Sequence, residues 1–242
     1  MITEQSKEGG LSLESTATLS LKEVIDRTSA VDVTKDKNLL EMARREVAIQ
    51  YSRLSSQELT EEAVYLDLCE DGYDNSGNSI TVATLTRDFY GRDILSGTVR
   101  LVKGTDRDTK ELPSLDAMNL FNVSEWPHRV ENIPDSKVGE LGRFVINSSF
   151  RTEVMDGVGI PNIITRELYF KTLSLGREQV GIARLYAIMP DYVVNRVVNA
   201  GINVREITNA SLRTDEHALE IYDKYDIYWK RMKPKLYEFL TY

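Results

Sequence analysis

A single cysteine, Cys69, in 242 residues excludes an internal disulfide framework and points to a reducing compartment. Two histidines, His128 and His217, leave no zinc pattern and argue against a histidine-rich catalytic centre. No apolar run is long enough to cross a bilayer, and the opening MITEQSKEGG is polar and acidic, unlike a secretory signal. Basic residues are too few for a general nucleic-acid binder: Lys plus Arg is 30 against 38 for Asp plus Glu, a net charge of -8. There is no G-x-S-x-G elbow, no G-x-x-x-x-G-K phosphate loop and no supported cysteine–histidine pair. No metal and no tightly bound cofactor is therefore expected. What is present, 41% hydrophobic and 28% charged residues, supports a sizeable core and excludes wholesale disorder. The expectation is a soluble, cytoplasmic globular protein, too short for two full-sized enzymatic domains. No feature of the chain sets an oligomeric state.

The first 30 residues are rich in Ser, Thr, Glu and Lys and read as an N-terminal extension, with 31–33 as a first short strand. From Asp36, Leu39, Leu40, Ala43, Val47 and Tyr51 recur at helical spacing, and a second short helix is possible in the Ser/Gln/Glu-rich stretch 55–62. Residues 79–89 and 92–104 are Thr- and Val-rich and predict a hairpin. In its second strand Arg100 falls on the polar face, with Leu95, Val99 and Leu101 behind it. Residues 104–137 read as loop, broken by the apolar LDAMNLF, and 137–150 as a central strand. Then come a helix opened by Pro161, a strand over 181–189, a helix stopped at Gly201 and a strand at 202–208. Residues 31–210 thus form the domain. The segment 211–242 reads as helical, with Ile221, Tyr225, Tyr228 and Trp229 as a stripe that packs on the domain or serves as a lid or oligomer contact.

Three clusters carry the chemistry. Glu70, Asp71 and Asp74, next to Tyr73, suit a cationic or amino-bearing ligand, or else a capped acidic turn. Arg100 suits a carboxylate fork, or else a solvated strand edge. Glu140-Leu141-Gly142-Arg143-Phe144 places a carboxylate in an apolar strand, which is costly unless the group is paired or working. In a regular strand Glu140 and Arg143 point to opposite faces, and Gly142 is where a bulge would change that. Cys69 reads as a small buried residue, not a nucleophile.

In this order the clusters resemble the acyl-homoserine-lactone autoinducer synthases. EDGYDN matches their acidic segment, SGTVRLV the hairpin strand ending in G-x-x-R-[LF], and ELGRFVI their E-[LS]-[SG]-R-F-x-[VI] block; LYAIMPDYVVNRVVNAGI and NVREI continue the pattern across roughly residues 31–210. The resemblance implies an α/β fold of the GNAT N-acyltransferase type, a mixed, splayed central sheet with helices on both faces. It implies a pantetheine arm lying along Phe144, Val145, Ile146 and Asn147, with Glu140 as general base and Arg143 beside it. An acyl-phosphopantetheine thioester would be the co-substrate. An acidic acyl-carrier protein would be the partner, docking on Arg151, Arg166, Lys171 and Arg177, with the Lys230–Lys235 tail as a second possibility.

The acceptor side departs from that family. Arg44 takes its arginine position, but Ala48 stands where an aromatic belongs and 54–56 is Leu-Ser-Ser where a tryptophan is expected. Those aromatics wall the S-adenosylmethionine pocket, so their loss favours the related long-chain N-acyl amino acid synthases, which share the fold and the donor. In that reading Asp71 and Asp74 hold the acceptor ammonium and Arg100 forks its carboxylate, with Arg44 alongside. The alternatives are an autoinducer synthase using S-adenosylmethionine and a catalytically silent GNAT-like binding protein.

Overall fold

The computed structural model describes residues 21–55, 59–69, 77–88, 90–104, 115–152, 154–155 and 158–240. Helix α1 (Leu21–Arg27) leads into β1 (Thr28–Asp32), then α2 (Lys37–Ser52) and α3 (Glu61–Cys69). Asp36 starts α2 by accepting from the backbone N–H of Asn38 and Leu39. The hairpin is β2 (Ser79–Arg87) and β3 (Asp93–Lys103), and the central strand is β5 (Val138–Ile146). Between them lie α4 (Asp116–Leu120), β4 (Phe121–Val123) and α5 (Pro127–Val130). A small hairpin, β6 (Val154–Met155) and β7 (Val158–Gly159), precedes α6 (Ile160–Val180), β8 (Arg184–Met189), α7 (Asp191–Asn199), β9 (Val204–Glu206) and β10 (Ala210–Leu212). The chain continues with α8 (Glu216–Lys224), a π-helical turn at Tyr228–Met232 and β11 (Lys235–Phe239).

The seven-stranded sheet has the order β1-β2-β3-β5-β8-β11-β9. All described neighbours are antiparallel except β5 and β8, which α6 connects in parallel. A parallel crossover needs a helix, and α6 supplies it with Pro161 in its first turn and left-handed Gly181 at its end. One face of the sheet packs on α6 and α7 through Val82, Leu101, Ile164, Leu168 and Leu185. The other packs on α2 and α3 through Val47, Val64, Leu68 and Val145, and on α4 through Ala117 and Leu120. His128 is fully buried there, bonded to the Tyr186 hydroxyl and the Asp135 carboxylate, and has a structural place. The expected mixed α/β sheet with helices on both faces is thus observed. Its splay is visible in the register: β5 and β8 pair only from Val138↔Arg184 to Leu141↔Ala187, while β5 runs on to Ile146 and β8 to Met189.

Five details differ from the sequence reading, the first being that the stretch 104–137, read as loop, holds α4, β4 and α5. The presumed extension contributes α1 and β1, and β1 pairs with β2 from Thr28, so the boundary at 30 falls inside the sheet. The short helix placed at 55–62 is α3, at Glu61–Cys69. Arg100 does not lie on a solvated face: α2 and α3 cover it and leave it 6% exposed. The C-terminal segment is helical only in part, because Lys235–Phe239 returns as a strand between β8 and β9. Glu238 disguised that strand; it is fully buried and held by Arg205 at 2.5 Å.

The glycines give a test of this packing. A Cβ on Gly104 would sit 2.4 Å from the Asp135 carbonyl oxygen, and backbone cannot yield easily; one on Gly142 meets nothing within 4 Å. Gly104→Ala should cost about 2 kcal/mol in urea unfolding, whereas Gly142→Ala should stay within about 0.5 kcal/mol of the parent. The reverse order would contradict the placement of β5.

Candidate active site

The site begins at an irregularity in β5. Arg100 of β3 faces Gly142, but Thr98 faces Val145, so Val99 stands opposite two residues, Arg143 and Phe144. This is a bulge, and it leaves Arg143 left-handed at φ 56°. A non-glycine residue there is strained by roughly 1–3 kcal/mol, a cost that marks functional positions. Gly142 itself is not the left-handed residue; its neighbour is. The consequence is a change of side. Arg143 Nε donates to the Leu68 carbonyl of α3 at 3.3 Å, and its guanidinium lies 3.9 Å from Asp116 of α4. Glu140 accepts from the Ala117 N–H of the same α4 at 2.8 Å. Both side chains therefore share one face of the sheet, as the regular alternation would forbid.

Glu140 is 6% exposed, and its carboxyl is pushed up from 4.5 to about 8. Burial is the main cause and the negative charge of Asp116 adds to it; the Ala117 N–H and the more distant charges of Arg143 and Arg100 oppose it. Glu140 and Arg143 form no direct ion pair; among the described residues the carboxylate nearest Arg143 is Asp116. A carboxyl tuned to this range is suited to take up a proton near neutral pH.

Arg143, Arg100 and Arg44 converge with Leu68, Cys69 and Thr98 around a void of about 20 Å³. Cys69 is buried, its thiol 3.6 Å from the Arg44 carbonyl, as a packing residue would be. Asp71 and Asp74 lie outside the described residues.

Where β5 and β8 part, a cavity of about 530 Å³ opens between them. Gly142, Arg143, Phe144, Val145 and Ile146 line one side and Ala187, Ile188 and Met189 the other. Asn147, expected in that row, is elsewhere: its N–H bonds the Ser96 carbonyl and its side chain caps the next turn. Tyr51, Tyr192 and Tyr228 also line the cavity, and the Tyr228 hydroxyl donates to the Ile188 carbonyl at 3.1 Å. Burial drives the Tyr228 hydroxyl well above its ordinary value, so it remains a donor. Arg151 reaches the cavity wall by donating to the Ile146 carbonyl at 2.9 Å, and Arg196 stands close enough to feel its charge. Arg166, Lys171 and Arg177 lie along α6 outside the cavity, Arg166 beside Glu167 at 3.6 Å.

Sequence reasoning missed Asp116, Tyr51, Tyr192 and Arg196 as site residues. Asp116 did carry a signal, as the lone charge in the apolar LDAMNLF. An aromatic from the far end of the chain packs against the cluster that contains Ala48. Trp229 packs into the cluster of Ala48, Tyr51 and Val145, 4.7 Å from the Tyr222 ring and 5.3 Å from the Tyr228 ring.

No protein-family model and no curated protein matches the chain. Solved structures with a similar arrangement include the acyl-homoserine-lactone synthase LasI, 15% identical over 88% of each chain, with a TM-score of 0.44. The coenzyme-A-dependent acyl-homoserine-lactone synthase BjaI, solved with MTA, is 17% identical over 86% of this chain and 89% of its own, at 0.46. A GNAT-family acetyltransferase from Staphylococcus aureus Mu50 is 14% identical over 88% and 99%, at 0.44.

Two measurements follow from this geometry. The folded chain holds the Glu140 proton more tightly than the unfolded chain does, so this group's contribution is favourable below about pH 4.5 and is lost as pH rises through about 8. The urea midpoint of the parent should therefore fall more between about pH 5 and about pH 9 than that of Glu140→Gln. Equal slopes would show that Glu140 is ionised throughout. Arg143→Ala should be less stable than Arg143→Gly by about 1 kcal/mol, because only glycine relieves the left-handed strain. An Ala variant as stable as the Gly variant would remove that strain from the account.

Proposed function

We propose that the chain is an N-acyltransferase that moves a fatty acyl group from the phosphopantetheine thioester of an acyl-carrier protein to the amino group of an amino acid or similar small amine. The observation that supports this most is the apolar cavity in the splay of β5 and β8, beside the bulge that carries Arg143 to the face of Glu140. An arm laid against Phe144 to Ile146 finds backbone groups without a strand partner on the β8 side. Arg151 and Arg196 offer two cations for its phosphate, and Arg166, Lys171 and Arg177 face an acidic carrier.

The acceptor meets the arginines. Arg100 forks its carboxylate, with Arg44 alongside, and Asp71 and Asp74 are the proposed partners of its ammonium. Glu140, as carboxylate, takes one proton from the ammonium, directly or through a water. The free amine attacks the thioester carbon; the C–N bond forms, the C–S bond breaks, and the second amine proton leaves with the thiolate as thiol. Arg143 keeps Glu140 and Asp116 in one electrostatic unit and limits how far the base is pushed up.

The second reading, S-adenosylmethionine as acceptor, is favoured by one observation: Trp229 brings an aromatic ring to the neighbourhood of Ala48. That ring lines none of the described cavities and packs against Tyr222 and Tyr228, which supports filling over the walling of a nucleoside pocket.

The purified protein is to be incubated with acyl-carrier protein loaded with medium and long chains, pooled amino acids and S-adenosylmethionine, and the products read by mass spectrometry. N-acyl amino acids are expected; a homoserine lactone as main product would establish the second reading, and no product would leave a silent binding domain. Glu140→Gln should lower turnover about 10²-fold or more with the fold retained. Turnover close to the parent's would remove Glu140 as base.

A further inference from the structure

We propose that Phe239, with Tyr169 and Ile202, forms the closed end of the cavity and limits the acyl group to a medium chain of about eight to ten carbons. This rests on the acyltransferase reading and adds the size of the group it transfers. The two ends of the cavity differ in exposure. Tyr192, on the open side, is 52% exposed, whereas Phe239, Ile202 and Leu168 are 2%, 3% and 0% exposed. The floor is the α6 face of β8, where Ala187 stands between the larger Leu185 and Met189 and leaves a trough. The roof is α6 and α7. Thr165, the one hydroxyl-bearing aliphatic side chain there, donates to the Pro161 carbonyl at 2.7 Å and so offers the cavity its methyl group. Such walls give a polar ligand little to bond and an alkyl chain much to cover.

The end wall is rigid. The Phe239 ring stacks on Tyr169 with centroids 5.2 Å apart and planes 23° apart. Its backbone is paired with Leu185 of β8 on one side and Val204 of β9 on the other. From β5 to β11 is two strand spacings, about 10 Å. A zigzag of ~1.5 Å bonds advances about 1.25 Å per carbon, so about eight carbons span that distance and the splay adds room for a little more. An acetyl group would leave the trough unfilled, and a chain of about sixteen carbons would run into Phe239.

The test uses acyl-pantetheine thioethers, which cannot transfer their chain, in a length series from about four to about sixteen carbons, with binding read by calorimetry on the full chain. Binding should be tightest at about eight to ten carbons and weaken about tenfold or more by sixteen. Phe239→Leu, which keeps an apolar strand residue and removes the stack, should move the optimum to longer chains. Val197→Phe, which fills the same end from α7, should move it to shorter ones and serves if the first variant does not fold. An optimum unchanged in the folded variants, or equal affinity across the series, overturns the length limit while leaving an acyl site. If no thioether of any length binds the parent, the acyltransferase reading falls and the limit falls with it.

Discussion

The parallel pairing of β5 with β8 ends at Leu141↔Ala187, and the rest of the site depends on that ending. Had the two strands stayed in register to Ile146 and beyond, their backbone groups would have satisfied one another and left no groove. The bulge at Arg143 and Phe144 lies immediately past the last pair, so the strand bends where its partner leaves. A bent central strand requires covering on both faces. α6 and α7 supply it on one side, and α2, α3 and α4 with the C-terminal aromatics on the other. The cavity and the charged cluster are thus two results of one change in β5.

The charged cluster is built around an expensive carboxylate. Burying Glu140 disfavours its ionised form, and Asp116 adds to that cost by repulsion. Arg143 and Arg100 lie too far off to pair with it and offset only part. A close ion pair would have locked Glu140 as a carboxylate with its proton affinity far below neutral. The longer-range arrangement keeps it poised, and the left-handed Arg143 backbone turns the guanidinium to the face that carries Asp116 and Glu140.

Much of the fold was legible because its elements keep their period. α2, the β2–β3 hairpin and α6 follow from apolar spacing, Asp36 and Pro161. The block from Glu140 to Phe144 was legible as chemistry because a carboxylate in an apolar strand is out of place. The face of Arg143 was not, since period-two reasoning cannot say which residue of a bulge turns left-handed. β11 was hidden by the charge of Glu238, whose partners Arg184 and Arg205 come from β8 and β9. Trp229 packs against the cluster that contains Ala48 from a sequence distance that no local pattern spans. Features set within one element were readable; contacts that required two elements to meet were not.

The central claim is that Glu140 is a buried carboxyl whose proton affinity lies close to neutrality. The direct measurement is infrared difference spectroscopy of its carboxyl stretch against pH, with Glu140→Gln as the reference that removes the band. The account predicts a protonated carboxyl at pH about 6 that ionises with a midpoint of about 8. A Glu140 already fully ionised at about pH 6 would contradict it.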